Sequence, residues 1–152
     1  MNFPFEKQTL SPIETESVGA ELAKLFLEDT KLPRFVALFG DLGVGKTAFV
    51  RGFTSEISPR ARVKSPTFAL VNEYKGEKTA VFHFDMYRIT DEDELYSIGF
   101  YDYADRSGIC LVEWSENIEY ALPESYIRAE IIKDCPDKDP DSRKIIIEAV
   151  GF

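Results

Sequence analysis

The stretch Gly40-Asp41-Leu42-Gly43-Val44-Gly45-Lys46-Thr47 fits the pattern G-x-x-x-x-G-K-[ST], and it narrows the fold more than any other part of the chain. The pattern works only where a buried strand delivers the glycines and a helix begins at the lysine. Both neighbours are legible. Phe35-Val36-Ala37-Leu38-Phe39 is a short apolar run suited to a parallel strand covered on both faces. Beyond the loop, Phe49, Val50, Phe53 and Ile57 recur at helical spacing and stop before Ser58-Pro59. Glycine torsions let successive N–H groups turn inward on an anion, and the helix start adds free N–H groups and the positive end of its dipole. Lys46 supplies a compact charge for terminal phosphates, and Thr47 a hydroxyl for magnesium. The expectation is a nucleoside triphosphate site built from Asp41, Leu42, Gly43, Val44, Gly45, Lys46, Thr47 and Ala48.

The rest of the chain punctuates clearly. Ser11-Pro12-Ile13-Glu14 reads as a helix start, with Ser11 as N-cap, Pro12 in the first helical position and Glu14 closing a capping box. Val18, Leu22, Leu25 and Phe26 then form an apolar face. Val63 to Thr67 reads as an extended, switch-like loop. Phe68–Tyr74 and Ala80–Phe84, separated by a segment containing Lys75-Gly76, read as an antiparallel hairpin. Thr90-Asp91-Glu92-Asp93 starts a short helix that Gly99 ends, and Ile109–Val112 is a further buried strand. Tyr126–Lys133 and Lys144–Val150 form a closing hairpin with a charged, proline-rich tip expected to be mobile. The fold class is α/β: a mixed sheet of the P-loop type, parallel in the centre, flanked by antiparallel hairpins, with helices on both faces.

In such sheets ligands gather at the carboxyl ends of the strands, so acids that end buried strands are the best candidates for magnesium and water chemistry. Asp85 follows Ala80-Val81-Phe82-His83-Phe84, and Glu113 follows Ile109-Cys110-Leu111-Val112. Transfer of a terminal phosphoryl group depends on a metal ion and on a group that orients the attacking oxygen. We assign Asp85 to the metal and Glu113 to the water, with the two roles exchangeable. Lys46, Asp85 and Glu113 are then the catalytic set, and Thr47, Asp85 and Glu113 the metal set. His83 shares a strand face with Asp85 but reads as a structural histidine, and Arg88 as a structural arginine. Trp114 suits stacking on a base or a partner as well as the core.

A chain of 152 residues is expected to form one domain, residues 1–152, burying about 70% of its unfolded surface. No apolar run reaches the length of a membrane span, and Met1-Asn2-Phe3-Pro4-Phe5-Glu6 opens neither a signal nor a transit peptide, so a cytoplasmic location is expected. A net charge of -9 argues against strong unaided binding to nucleic acid. Arg51, Arg60, Arg62 and Lys64 form a local basic exception that suits RNA, an acidic partner or plain solvation. Cys110 and Cys135 lack metal-type spacing; Cys110 reads as core, and no disulfide is expected.

Taken in order, the phosphate loop, Ser65-Pro66-Thr67-Phe68, His83-Phe84-Asp85-Met86-Tyr87-Arg88 and Glu113-Trp114 resemble the motif series of the TsaE family, also called YjeE. The similarity runs from about Ser11 to Trp114, and the final hairpin matches in general character. The chain departs from the family at Ser115, where proline is frequent, and at Ala48, where a second threonine is frequent. The resemblance implies a P-loop ATPase, using ATP and Mg2+, that serves bacterial threonylcarbamoyladenosine synthesis on tRNA. It implies TsaD and TsaB as protein partners, with tRNA met through them and no membrane. ATP binding would favour docking on that pair, and hydrolysis would reset it. Ser65 and Thr67 would sense the terminal phosphate, Asp85 would serve the magnesium site, and Trp114 would lie near the nucleotide or partner. A small-molecule kinase and a nucleotide-gated binding subunit are the competing readings, and the oligomeric state stays open.

Overall fold

The computed structural model describes residues 1–66 and 70–152. Among these, β1 (Phe5–Thr9), β2 (Phe35–Phe39), β3 (Val71–Lys75), β4 (Ala80–Asp85), β5 (Ile109–Glu113), β6 (Tyr126–Lys133) and β7 (Arg143–Val150) form one sheet in the order β1-β7-β6-β2-β5-β4-β3. The inner strands β6, β2, β5 and β4 run parallel, while β7 and β1 on one side and β3 on the other pair antiparallel. The mixed α/β architecture expected from the sequence is the one observed.

Side-chain alternation divides the core into two layers. Val36 and Leu38 of β2, with Ile109 and Leu111 of β5, face α1 (Pro12–Glu28) and α2 (Lys46–Ile57). Phe35, Ala37, Phe39, Cys110 and Val112 face the opposite side, under α3 (Glu92–Ser97) and α4 (Phe100–Asp105). All five residues of β2 and of β5 are buried, which is why both read as continuous apolar runs.

The helix that carries Lys46 is held by an unusually close packing. A Cβ on Gly52 would lie 1.9 Å from the Glu16 carbonyl oxygen, and one on Gly19 would lie 2.2 Å from that of Phe49. The two glycines therefore let the α1 and α2 backbones touch, which fixes α2 and the loop at its start. Ser11 caps α1 by accepting from the Glu14 N–H at 3.2 Å, but the Glu14 carboxylate takes the Leu10 N–H at 2.6 Å, one residue upstream of the expected capping-box partner.

Three elements add to the expected set. β1 is a polar edge strand with little periodic signal. Gly99 does not simply end a helix: at φ 73° it is also the N-cap of α4. A short 3-10 helix, Ser115–Ala121, follows β5. In the first hairpin the ladder begins at Val71, and Phe68 lies outside the described residues. Cys110 is buried and Cys135 exposed, both as free thiols. In the basic stretch Arg51 is paired with Glu16 at 2.9 Å, while Arg60 and Arg62 are exposed.

Candidate functional site

The site forms where β2, β4 and β5 end against the start of α2. Val81, His83 and Asp85 alternate onto the α2 side of β4, as Ile109, Leu111 and Glu113 do on β5, because odd positions of both strands share that face. Asp85 and Glu113 are register partners across the parallel pair, so the two strand-end carboxylates arrive side by side. The Thr47 hydroxyl, in the first turn of α2, lies 3.5 Å from Glu113 Oε1. The sequence-selected Lys46, Thr47, Asp85, Glu113 and Trp114 are thus brought together.

The loop reaches α2 through Gly43 at φ 79° and Gly45 at φ 108°, torsions that a side chain disfavours. Asp41 and Leu42 stand exposed at its tip, while the side chains of Val44 and Ala48 are buried in the protein, leaving those two residues only backbone groups to offer a ligand. Lys46 is nearly buried at 5% exposure. Its ammonium donates to the Gly40 carbonyl and sits 3.5 Å from the centre of the Trp114 ring. Burial pulls the Lys46 amine below its ordinary range, against the opposing pull of Glu116, Glu113, Asp85 and Asp41. This one cation thus stands in the field of four acids.

The two carboxylates differ in surroundings. Glu113 is 3% exposed, and its Oε2 lies 2.5 Å from His83 Nε2. His83, read from sequence as structural, is fully buried and holds a member of the site directly; its Nδ1 finds no hydrogen-bond partner among the described residues. Asp85 is half-buried, accepts the Tyr87 N–H at 3.0 Å, and has its carboxyl raised above the usual range, chiefly by burial and then by Glu113, with the Tyr87 N–H acting in the opposite sense.

Trp114 adopts φ 58°, which turns the chain sharply after Glu113 and lays its indole between Lys46 and Tyr87, whose ring centre is 5.0 Å away. That turn also delivers Glu116, which sequence reasoning missed. Glu116 Oε2 accepts the Gly40 N–H at 3.1 Å, and its other oxygen is buried without a partner among the described residues. Nothing local marks Glu116, since its partner is 76 positions away. Arg88 is exposed and lines a cavity of about 190 Å3 with Asp85, Tyr87, Ser65 and Pro66. Thr67 lies outside the described residues.

The family model described as "Threonylcarbamoyl adenosine biosynthesis protein TsaE" matches residues 9–145. The chain belongs to the TsaE family. Similar curated members include the tRNA threonylcarbamoyladenosine biosynthesis protein TsaE of Haemophilus influenzae, 42% identical over 114 residues, covering 74% of this chain and 72% of the relative. The protein of the same name from Bacillus subtilis is 38% identical over 144 residues, covering 95% of this chain and 85% of the relative. The crystal structure of YdiB from Bacillus subtilis superposes with a TM-score of 0.73 at 32% identity, covering 99% of this chain and 88% of that one. The TsaE match therefore continues past Trp114 through most of the final hairpin, farther than the motifs alone reach.

The oxygen donors also fit magnesium. Two carboxylates and a hydroxyl, beside a glycine-rich loop at a helix start, are the hard ligands of an ion that keeps waters and binds phosphate oxygens at the same time. Among the described residues no three His, Cys, Asp or Glu side chains stand together as a closed metal cage. No helix of the described residues is long and apolar enough to cross a membrane.

Proposed function

We propose that this TsaE-family chain is a magnesium-dependent ATPase of tRNA threonylcarbamoyladenosine biosynthesis, acting in the cytoplasm by docking on the TsaB–TsaD pair when ATP is bound. The biosynthetic role comes with the family; the nucleotide, the metal and the partners are our reading of the site. One observation carries that reading: the buried Lys46 and the Thr47 hydroxyl converge with the paired acids Asp85 and Glu113 at the mouth of the glycine loop.

Each side chain has a task there. The backbone N–H groups of residues 43–47 bind β- and γ-phosphate oxygens, and Lys46 exchanges the Gly40 carbonyl for them. Bound magnesium would supply Lewis-acid charge across those oxygens. The 3.5 Å approach of Thr47 to Glu113 favours these two as its holders, directly or through water, with Asp85 in reach beside them. Glu113 is engaged by His83 through its other oxygen and Asp85 by the Tyr87 N–H, but Asp85 is the less buried of the two and so has better access to a water; this exchanges the roles first assigned from sequence. The net charge of -9 fits a subunit that leaves tRNA contact to its partners.

Capture by immobilised TsaB and TsaD is compared with ATP, ADP and no nucleotide, with phosphate release followed in the same samples. ATP-dependent capture with altered turnover is expected. Equal capture in all three conditions overturns nucleotide-dependent docking, and a phosphorylated small molecule formed by the isolated chain moves the assignment to a kinase.

A further inference from the structure

Arg143 opens β7, 99 positions from the phosphate loop, yet its guanidinium is spent on that loop. Nε donates to the Val44 carbonyl at 2.9 Å and Nη2 reaches the Gly43 carbonyl at 3.5 Å. The same group donates through Nη1 to the carbonyls of Pro140 at 2.6 Å and Ser142 at 3.0 Å, in the turn that joins β6 to β7. That turn is itself anchored: Gln8, on β1, donates to Asp134 and to Ser142, each at 3.0 Å, and Ser142 is buried. One planar fork thus ties two successive loop carbonyls to a braced corner of the sheet, a task that suits arginine and not the single point charge of lysine.

The carbonyls it holds matter because of peptide geometry. In a trans peptide the C=O of one residue and the N–H of the next point in opposite directions. Holding the Val44 carbonyl from the hairpin side aims the Gly45 N–H the other way, into the concavity of the loop, while the Gly43 carbonyl contact steadies the peptide whose Val44 N–H closes the loop's own turn on the Asp41 carbonyl at 3.4 Å. Gly43 at φ 79° and Gly45 at φ 108° leave the buried Val44 side chain as the only one between them, so an external clamp adds to it in setting the direction of these peptide planes. We propose that Arg143 is a positioning residue for phosphate binding: it pre-orients the loop N–H groups and makes the β6–β7 turn part of the nucleotide site. The inference rests on the ATP reading above and concerns only how the loop is prepared.

The test uses Arg143→Gln and Arg143→Lys, with Lys144→Gln as a control on the same strand, whose partner is the exposed Glu6. Calorimetric affinities for ATP and for inorganic tripolyphosphate are measured well below the melting temperature of each free protein. Both Arg143 variants are expected to lose about tenfold for each ligand, by the same factor, as a lost charge-assisted anchor implies. Lys144→Gln should bind as the unmodified protein does. A purely structural role predicts a lower melting temperature with unchanged affinities, and that result overturns the inference. Loss for ATP with none for tripolyphosphate overturns it as well, since Arg143 would then act on the nucleoside. Failure of the unmodified protein to bind either ligand overturns the nucleotide reading and this inference with it, whereas ATP binding that survives unchanged in both Arg143 variants overturns this inference alone.

Discussion

Gly52→Ala tests the packing that holds α2, because two effects of opposite sign compete there. In an ordinary helix interior the change stabilises by about 1 kcal/mol, since alanine loses less backbone entropy. Here the new Cβ would meet the Glu16 carbonyl oxygen at 1.9 Å and its carbon at 2.5 Å. Ordinary contact begins near 3.4 Å, so α1 and α2 must separate by roughly 1.5 Å. The obstacle is backbone, which cannot swing aside as a side chain does. Overpacking of this kind costs about 3 kcal/mol, leaving a net loss of about 2 kcal/mol. For a chain of this size that is a fall in melting temperature of about 4–8 °C. Scanning calorimetry without nucleotide reads it, with exposed Glu21→Ala on α1 as the control. A melting temperature that rises, or holds, would mean that the helices are not in backbone contact. Gly19→Ala meets the same seam from the other side, at 2.2 Å from the Phe49 oxygen, so the double variant should cost less than the sum of the singles once the helices have parted.

Lys46→Ala should weaken ATP binding by at least about tenfold, the cost of losing one charge-assisted phosphate contact, and unchanged calorimetric affinity would remove the lysine from the site. Glu113→Gln keeps size but removes the charge held by His83 and facing Thr47; ATP should still bind, while phosphate release falls by about a hundredfold or more, the scale of a positioned acid–base or metal group. Burial pushes the Cys110 thiol up to about 12 from an ordinary 9.0. Below the unfolded value both states hold the proton and stability is whole; above it only the unfolded thiol ionises, so stability falls until the folded thiol also titrates. From about pH 8 to about pH 10 the loss is on the order of 1 kcal/mol, or about 2–4 °C. Cys110→Ala should flatten that part of the pH–melting curve, and an identical slope in both proteins would refute the cause.

What could be read in advance followed from local grammar. β2 and β5 announced themselves because both faces are covered, and α2 because glycine, lysine and an apolar period coincide. Asp85 and Glu113 were legible because each closes such a run. β1 was not, since an edge strand of Glu6, Lys7 and Gln8 shows neither alternation nor apolarity. α4 was hidden by Gly99, whose positive φ serves a stop and a start alike. The missing members of the site share another cause. Glu116 depends on the left-handed turn at Trp114, Arg143 on a corner made by the last hairpin, and the reach of His83 on the register of β4 against β5. Glu116 and Arg143 are consequences of tertiary geometry with no residue pattern near them to carry the signal, whereas strand alternation already put His83 on the face of Asp85 and only its partner Glu113 was hidden.

Trp114 is the chain's single tryptophan, and its indole is seated against the ammonium that a phosphate would draw away. An indole that loses a neighbouring cation changes its emission, and no other indole is present to dilute the change. If the loop binds phosphate as proposed, the molecule carries its own unlabelled optical gauge, on a side chain in contact with the ammonium that the phosphate would engage. Rapid mixing with nucleotide would time the filling of the loop directly, before any phosphate is released.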